Sequence, residues 1–255
     1  MYEKLKFEYA RDSLKYLIQR FQIKELHIPY YLCDVIRHSV IEAGCKPVFY
    51  HIDNNFFPAK DFNKEDFILY PNYFGICEDN AAKLEKIYPN LIIDNVHAYY
   101  MSPQGMACFN SKRKFIPGQI VSELYVKKEG ESAENQPIRP DEKRREEFKI
   151  LNKKYGKTNL LVFKKVPLSP FCYPYLAGTN EEADKLAENL IEKGETIYRY
   201  WNNLPRNYNE YKFYRRLVPI PLKSTVGQPN KKLTQPLLPP LRGKYPKGAG
   251  GKSTP

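Results

Sequence analysis

Apolar residues recur along the first half of the chain in two alternating periods. In "RDSLKYLIQRF" they fall at Leu14, Leu17, Ile18 and Phe21. That is the three-and-four spacing of a helix with one buried face, and Asp12 is placed to cap its start. "ELHIPYY" reads as a short strand stopped by Pro29, and "CDVIRHSVIEAG" as a second helix stopped at Gly44. "KPVFYHID", "DFILYPNYFG" and "NLIIDN" are short apolar runs bounded by turn residues, with a helical "EDNAAKLEKIY" before the last. Strands alternating with helices predict βαβ units, hence an α/β fold with a mostly parallel sheet covered by helices on both faces.

The pattern changes after residue 125. "VKKEGESAENQPIRPDE", residues 126–142, is charged, holds two prolines and reads as a linker. Beyond it "KRREEFKILNKKY" and "NEEADKLAENLIEKG" have amphipathic helical spacing, while "LLVFKKV", "FCYPYL" and "RLVPIPL" read as strands. The expected organisation is a large α/β domain over 1–125, the linker, and a smaller α+β domain over 143–222. Residues 223–255 are rich in Pro, Gly and Lys, lack periodicity and are expected to be disordered.

Composition narrows the function classes. At 255 residues and 30.0 kDa the chain can bury a large core. No apolar run reaches the ~18 residues of a membrane span, and the first twelve residues carry acids where a signal peptide is apolar. The expectation is a cytoplasmic protein without membrane insertion. Five cysteines without a CxxC pair predict reduced, mostly buried thiols and no metal cluster. Of the net charge of +12, seven Lys or Arg and no acid lie in residues 223–255, so the body is only mildly basic. With no zinc-finger or RNA-binding signature, nucleic acid is not an expected partner, whereas small phosphorylated ligands suit the mild excess.

Ligands of parallel sheets bind outside the carboxyl ends of the strands, and "LIIDNVHAYY" puts Asp94 and His97 at such an end. A buried carboxylate there can keep a pyridinium nitrogen protonated, and a cofactor of that kind needs a lysine for a Schiff base. "GMACFNSKRKF" supplies Lys114, with Lys112 a rival on spacing. The bland readings are that Asp94 caps the next turn, that His97 is a satisfied core histidine, and that "KRKF" is a solvated basic surface. Tyr30, Tyr31, Tyr99 and Tyr100 read as core or interface aromatics, and Trp201 as packing of the small domain.

The ordered succession "ARDSL", "IPYYLCDVI", "EAGCKPVFYHID", "NYFG", "IIDNVHA" and "SKRKF" resembles the large domain of the DegT/DnrJ-type sugar aminotransferases. "RREEFKILNKKY", "YPYL", "YRYW" and "VPIPL" are similar to their small domain. The resemblance covers about residues 7–222 and implies a pyridoxal 5'-phosphate enzyme. It would move an amino group from an amino acid, glutamate in much of the family, to a nucleotide-linked keto-sugar in surface glycan synthesis. By the same resemblance Lys114 is the Schiff-base lysine and Asp94 holds the pyridine nitrogen, with His97 near the phenolic oxygen. Ser111 and the first helical turn, with Ala10, Arg11 and Asp12, receive the phosphate. A side chain over the ring face falls on Cys33 counting from Pro29, with Tyr31 as the other position. The family also implies a homodimer. "FIPGQIVSELYV" runs almost directly into the linker where relatives continue through a long helical stretch. The resemblance is therefore to a shortened member, and a non-catalytic remnant that keeps the fold is the alternative.

Overall fold

The structure, a computed structural model, describes residues 1–128 and 140–222. The chain enters as β1 (Tyr2–Phe7) and α1 (Ala10–Arg20), then β2 (Glu25–Pro29), α2 (Asp34–Glu42) and β3 (Lys46–Tyr50). It continues through β4 (Ile68–Pro71), α3 (Glu78–Ile87), β5 (Leu91–Asn95), β6 (Ala107–Asn110) and β7 (Ser122–Lys127). These strands form one seven-stranded sheet in the order β1-β7-β6-β5-β4-β2-β3. The run from β6 to β3 is parallel, and β7 is antiparallel to both β6 and β1.

β5 shows why the sheet is covered on both sides. Its five residues are all buried, and successive side chains leave opposite faces. Leu91 and Ile93 join one core with Tyr70, Ala81 and Leu84, while Ile92 joins another with Leu14, Leu17, Ile36 and Val40 from α1 and α2. Each such apolar side chain contributes about 1.5–3 kcal/mol on burial. The same alternation puts Asp94 on the α1 and α2 face at the carboxyl end of the strand.

A smaller lobe follows: α4 (Glu142–Tyr155), β8 (Cys172–Leu176), α5 (Asn180–Glu192), α6 (Tyr211–Arg216) and β9 (Leu217–Pro221). β8 and β9 form a two-stranded antiparallel sheet, and α5 starts with a capping box between Thr179 and Glu182. Leu161, Leu176, Leu204, Phe213 and Leu217 of this lobe complete the core that α3 covers, so the two sheets share apolar packing. Buried Glu210 adds a polar tie, accepting the Ile52 N–H at 2.8 Å and facing His51 Nδ1 at 3.0 Å.

Several expectations change. Asp12 lies inside the first turn of α1, whose N-cap is Tyr9 without a side-chain hydrogen bond. "LLVFKKV" is irregular, because Asn159 accepts both the Leu161 and Leu176 N–H groups and turns the chain away from strand pairing. β1, β6 and β7, absent from the pattern reading, close one edge of the sheet, and β7 extends the large sheet to Lys127. The tail expectation for 223–255 lies outside the described residues, as does most of the linker. No described helix is long and apolar enough to cross a membrane. Four cysteines are buried and Cys33 is half-buried; all five are free thiols.

Candidate active site

The site forms where the carboxyl ends of β5 and β6 meet the starts of α1 and α2. Asp94 is buried at the end of β5, where its Oδ1 accepts the Val96 N–H at 2.9 Å. Its Oδ2 makes no hydrogen bond among the described residues. Burial pushes the carboxyl up to about 6, against the opposing pull of the Val96 N–H and of Lys114. Lys114 ends a one-turn 3-10 helix (Lys112–Lys114) that follows β6. Burial lowers its amine to about 8, only partly offset by Cys33 and Asp94. Its Nζ lies 2.8 Å from His97 Nε2. His97, buried in the turn after β5, is pushed well below the ordinary histidine range by burial and then by Lys114. While Lys114 is protonated it must donate and Nε2 must accept, which leaves the imidazole proton on Nδ1.

Lys112 is placed differently. Its Nζ is 3.1 Å from buried Glu123, which also pairs with Lys4 at 2.8 Å and accepts from the Tyr125 hydroxyl at 3.0 Å. A lysine held in that ion cluster is a poor nucleophile, so the geometry separates the two rivals that spacing left open. Cys33 is the N-cap of α2 and lies close enough to Lys114 and Asp94 to feel both charges, although burial dominates and raises its thiol. Tyr31 is fully buried, stacked on Tyr73 at 5.8 Å, and its hydroxyl has no hydrogen-bond partner among the described residues.

The first turn of α1 is tied to the end of β6. Ser13 Oγ meets Ser122 Oγ at 2.8 Å, and Ser122 donates to the Asn110 carbonyl at 2.7 Å. Buried Ser111 therefore sits next to the amino end of an eleven-residue helix, whose first N–H groups favour an anion. Arg11 stands over the Tyr9 ring at 4.1 Å and Arg113 at 5.9 Å, so two guanidinium groups flank that end. Asp12 brings one negative charge to the same turn.

Sequence reasoning missed the aromatic wall. Phe171 stacks on His97 at 4.4 Å with 3° between ring planes, and Phe74, Tyr200 and Trp201 lie within 6 Å of the imidazole. Trp201 thus packs against the large sheet's aromatic residues rather than within the small lobe. Phe74 and Trp201 both adopt left-handed backbone, at φ 54° and 56°, a conformation that costs side-chain-bearing residues on the order of 1–3 kcal/mol. Arg144, buried on α4, donates to the Pro170 carbonyl at 3.1 Å and to the Phe171 carbonyl, holding the segment that carries the stacked ring. The aromatic content of 14% was the available signal, but composition does not say which rings converge.

Solved structures with the same architecture include PseC of Helicobacter pylori, an aminotransferase of pseudoaminic acid biosynthesis. It is 17% identical with TM-score 0.61, over 86% of this chain and 81% of that one. A DegT DnrJ EryC1 StrS aminotransferase from Brucella abortus is 12% identical with TM-score 0.63, over 89% and 82%. Spr1654 of Streptococcus pneumoniae, assigned as a sugar aminotransferase and solved in a PLP form, is 12% identical with TM-score 0.65, over 88% and 83%. The fold is that of the DegT/DnrJ-type sugar aminotransferases. No family model and no curated protein sequence matches the chain, so the likeness is carried by backbone architecture.

The residues present fit the cofactor of that aminotransferase fold. A buried carboxylate with one uncommitted oxygen, an amine depressed toward neutrality and an anion-favouring helix end are the three features that pyridoxal 5'-phosphate requires of its host.

Proposed function

We propose that the chain is a pyridoxal 5'-phosphate-dependent aminotransferase that moves an amino group from an amino acid, with glutamate the favoured donor, to a nucleotide-linked keto-sugar. The observation that carries the reading is the pairing of buried Asp94 at the end of β5 with Lys114 just after the adjacent β6, the two close enough to feel each other's charge and Lys114 in contact with His97. The fold neighbours support the acceptor class, PseC by its part in pseudoaminic acid biosynthesis.

Asp94 would hold the ring nitrogen, Ser111 and the first turn of α1 the phosphate, and Lys114 the aldehyde carbon. Bound there, the cofactor supplies an electron sink for the bonds at the amino-bearing carbon. The rest is done by the chain. At a pKa of about 8, roughly one Lys114 in ten is neutral at pH 7, against about one in three thousand for an ordinary lysine. Neutral Nζ takes the proton from the donor's α-carbon, and in the second half-reaction it delivers one to the acceptor carbon that receives nitrogen. His97 orients Nζ through the 2.8 Å contact and remains neutral, so it adds no competing charge. Asp94, above its pKa at neutral pH, supplies the negative charge that keeps the ring nitrogen protonated.

Purified protein mixed with the cofactor should develop a visible absorption band of lysine-bound pyridoxal, and borohydride should fix the label on Lys114. Lys114→Ala should lose the band while Lys112→Ala keeps it. Absence of the band in the unaltered chain after cofactor addition would defeat the proposal. The homodimer implied by the family belongs to the same reading, and sedimentation of the loaded protein checks it.

A further inference from the structure

The small lobe reaches the His97 and Lys114 contact through one ring. Phe171, just before β8, lies flat on the imidazole at 4.4 Å with 3° between the planes, and the centre of the same ring is 5.4 Å from Lys114 Nζ. One side chain therefore meets both partners of the 2.8 Å contact. The ring is fixed through its own backbone: the Phe171 N–H donates to the Phe74 carbonyl at 2.8 Å, and the Phe171 carbonyl accepts from Arg144 of α4. Arg144 is buried, donates also to the Pro170 carbonyl at 3.1 Å, and stands 5.0 Å over Phe115, the residue after Lys114. A planar guanidinium bonded to two successive carbonyls sets the direction of the segment between them.

We propose that Phe171 is a positioning residue for Lys114: its ring holds the His97 imidazole as the acceptor that faces Nζ, so the lysine is aimed only while the small lobe is docked. The assignment rests on the aminotransferase reading. The last torsion of a histidine side chain is a broad one, and a single contact with a lysine end does not fix it. A coplanar ring does, because turning the imidazole forfeits the stack. The stack also keeps water off one face of the imidazole. Burial holds His97 well below the ordinary histidine range, and a neutral imidazole keeps on Nε2 the lone pair that the amine needs. Besides Phe171, the imidazole packs against Phe74, Tyr200, Trp201 and Lys114, of which Lys114 carries charge. Were His97 to take a proton, Nε2 would become a donor and repel the ammonium. Uncovering the stacked face therefore loosens the contact twice, by rotation and by charge. An aliphatic side chain at 171 fills part of the space and offers no plane.

The chain has four histidines, so the His97 ring signals in NMR spectra of cofactor-free protein are identified by their loss in His97→Gln. In the unaltered protein they should lie upfield of ordinary histidine positions, shielded by the Phe171 face. Phe171→Leu should move them downfield and bring their titration midpoint up toward the ordinary value of about 6.5. Phe171→Tyr, which keeps the plane, should leave both near the unaltered values. Phe148→Leu, which thins the small lobe's own core, should lower stability and move neither. In the loaded protein, loss of the cofactor band on adding saturating glutamate should slow about tenfold to a hundredfold in Phe171→Leu, with the half-saturating concentration changed less than about threefold. Phe171→Tyr should recover most of that rate. His97 signals at ordinary positions in the unaltered protein would overturn the assignment without any variant. So would signals unmoved in Phe171→Leu, equal movement in Phe148→Leu, or an undiminished rate in Phe171→Leu. A chain that never shows the cofactor band yet gives the His97 shifts loses the transaminase reading and keeps the Phe171 contact. A chain with the band and unmoved His97 signals does the reverse.

Discussion

Lys114 and Asp94 are held where each is least stable in its charged form, and the two shifts have opposite pH signatures. The Lys114 pKa falls from 10.5 to about 8 in the fold, so the unfolded chain binds more protons between those values and stability rises with pH across that window. Asp94 is raised from 3.8 to about 6, so the folded chain binds more protons there and stability falls as pH rises through that range. In cofactor-free protein, Lys114→Met should therefore be more stable than the unaltered chain at pH 7, by on the order of 1–3 kcal/mol, with the difference closing between pH 8 and 10.5. Asp94→Asn should be stabilising above pH 6 and lose its advantage toward pH 4. Urea melts across pH measure both, and a flat difference in either variant would contradict the burial argument. At this scale the sequence was informative about identity and silent about environment. "LIIDN" and "SKRKF" exposed an acid and a lysine, and the family resemblance favoured Lys114, but the ion cluster around Glu123 that occupies Lys112 is visible only in the fold. The stacked ring of Phe171 is 74 positions from His97, beyond any local pattern.

Among the elements, the turn after β4 sets how closely the small lobe approaches. Gly75 has φ 71°, and a Cβ added there would overlap the carbonyl oxygens of Ser169 and His97. This close passage lets the Phe171 N–H reach the Phe74 carbonyl at 2.8 Å and lays the Phe171 ring on His97. Gly75→Ala should therefore cost several kcal/mol, on the order of 2–4. In any fraction that folds, it should also shift the His97 ring resonances in NMR spectra. A variant with unchanged stability and unchanged His97 signals would show that the contact is slack. The strands and helices from β2 to β5 were legible because their apolar periods are unmixed. β1, β6 and β7 were not: "YEKLKF" alternates on a half-exposed edge, and "ACFN" is only four residues long. Both gain strand geometry from partners rather than from their own pattern. "LLVFKKV" shows the converse, a strand-like composition overruled by the Asn159 hydrogen bonds.

For the whole molecule, shared packing between the sheets implies one cooperative unit. Phe213 and Leu217 are buried with Tyr31, Phe56 and Tyr73, and Glu210 is fully buried against the Ile52 N–H and His51. Glu210→Ala would strand that buried N–H and should destabilise the protein by roughly 1–3 kcal/mol. Far-UV circular dichroism and Trp201 emission should then melt together at a lower temperature; two separated transitions would show independent lobes. The sheet order has a consequence in time as well as in space. β1 pairs only with β7, Tyr2 opposite Lys127, and Ser13 waits for Ser122. At ~10 residues per second the ribosome needs roughly twelve seconds to supply that partner, so the first strand made is the last of its sheet to find a neighbour. A nascent chain stalled before residue 122 should present an unpaired edge to chaperones, and one stalled well beyond residue 128 should not.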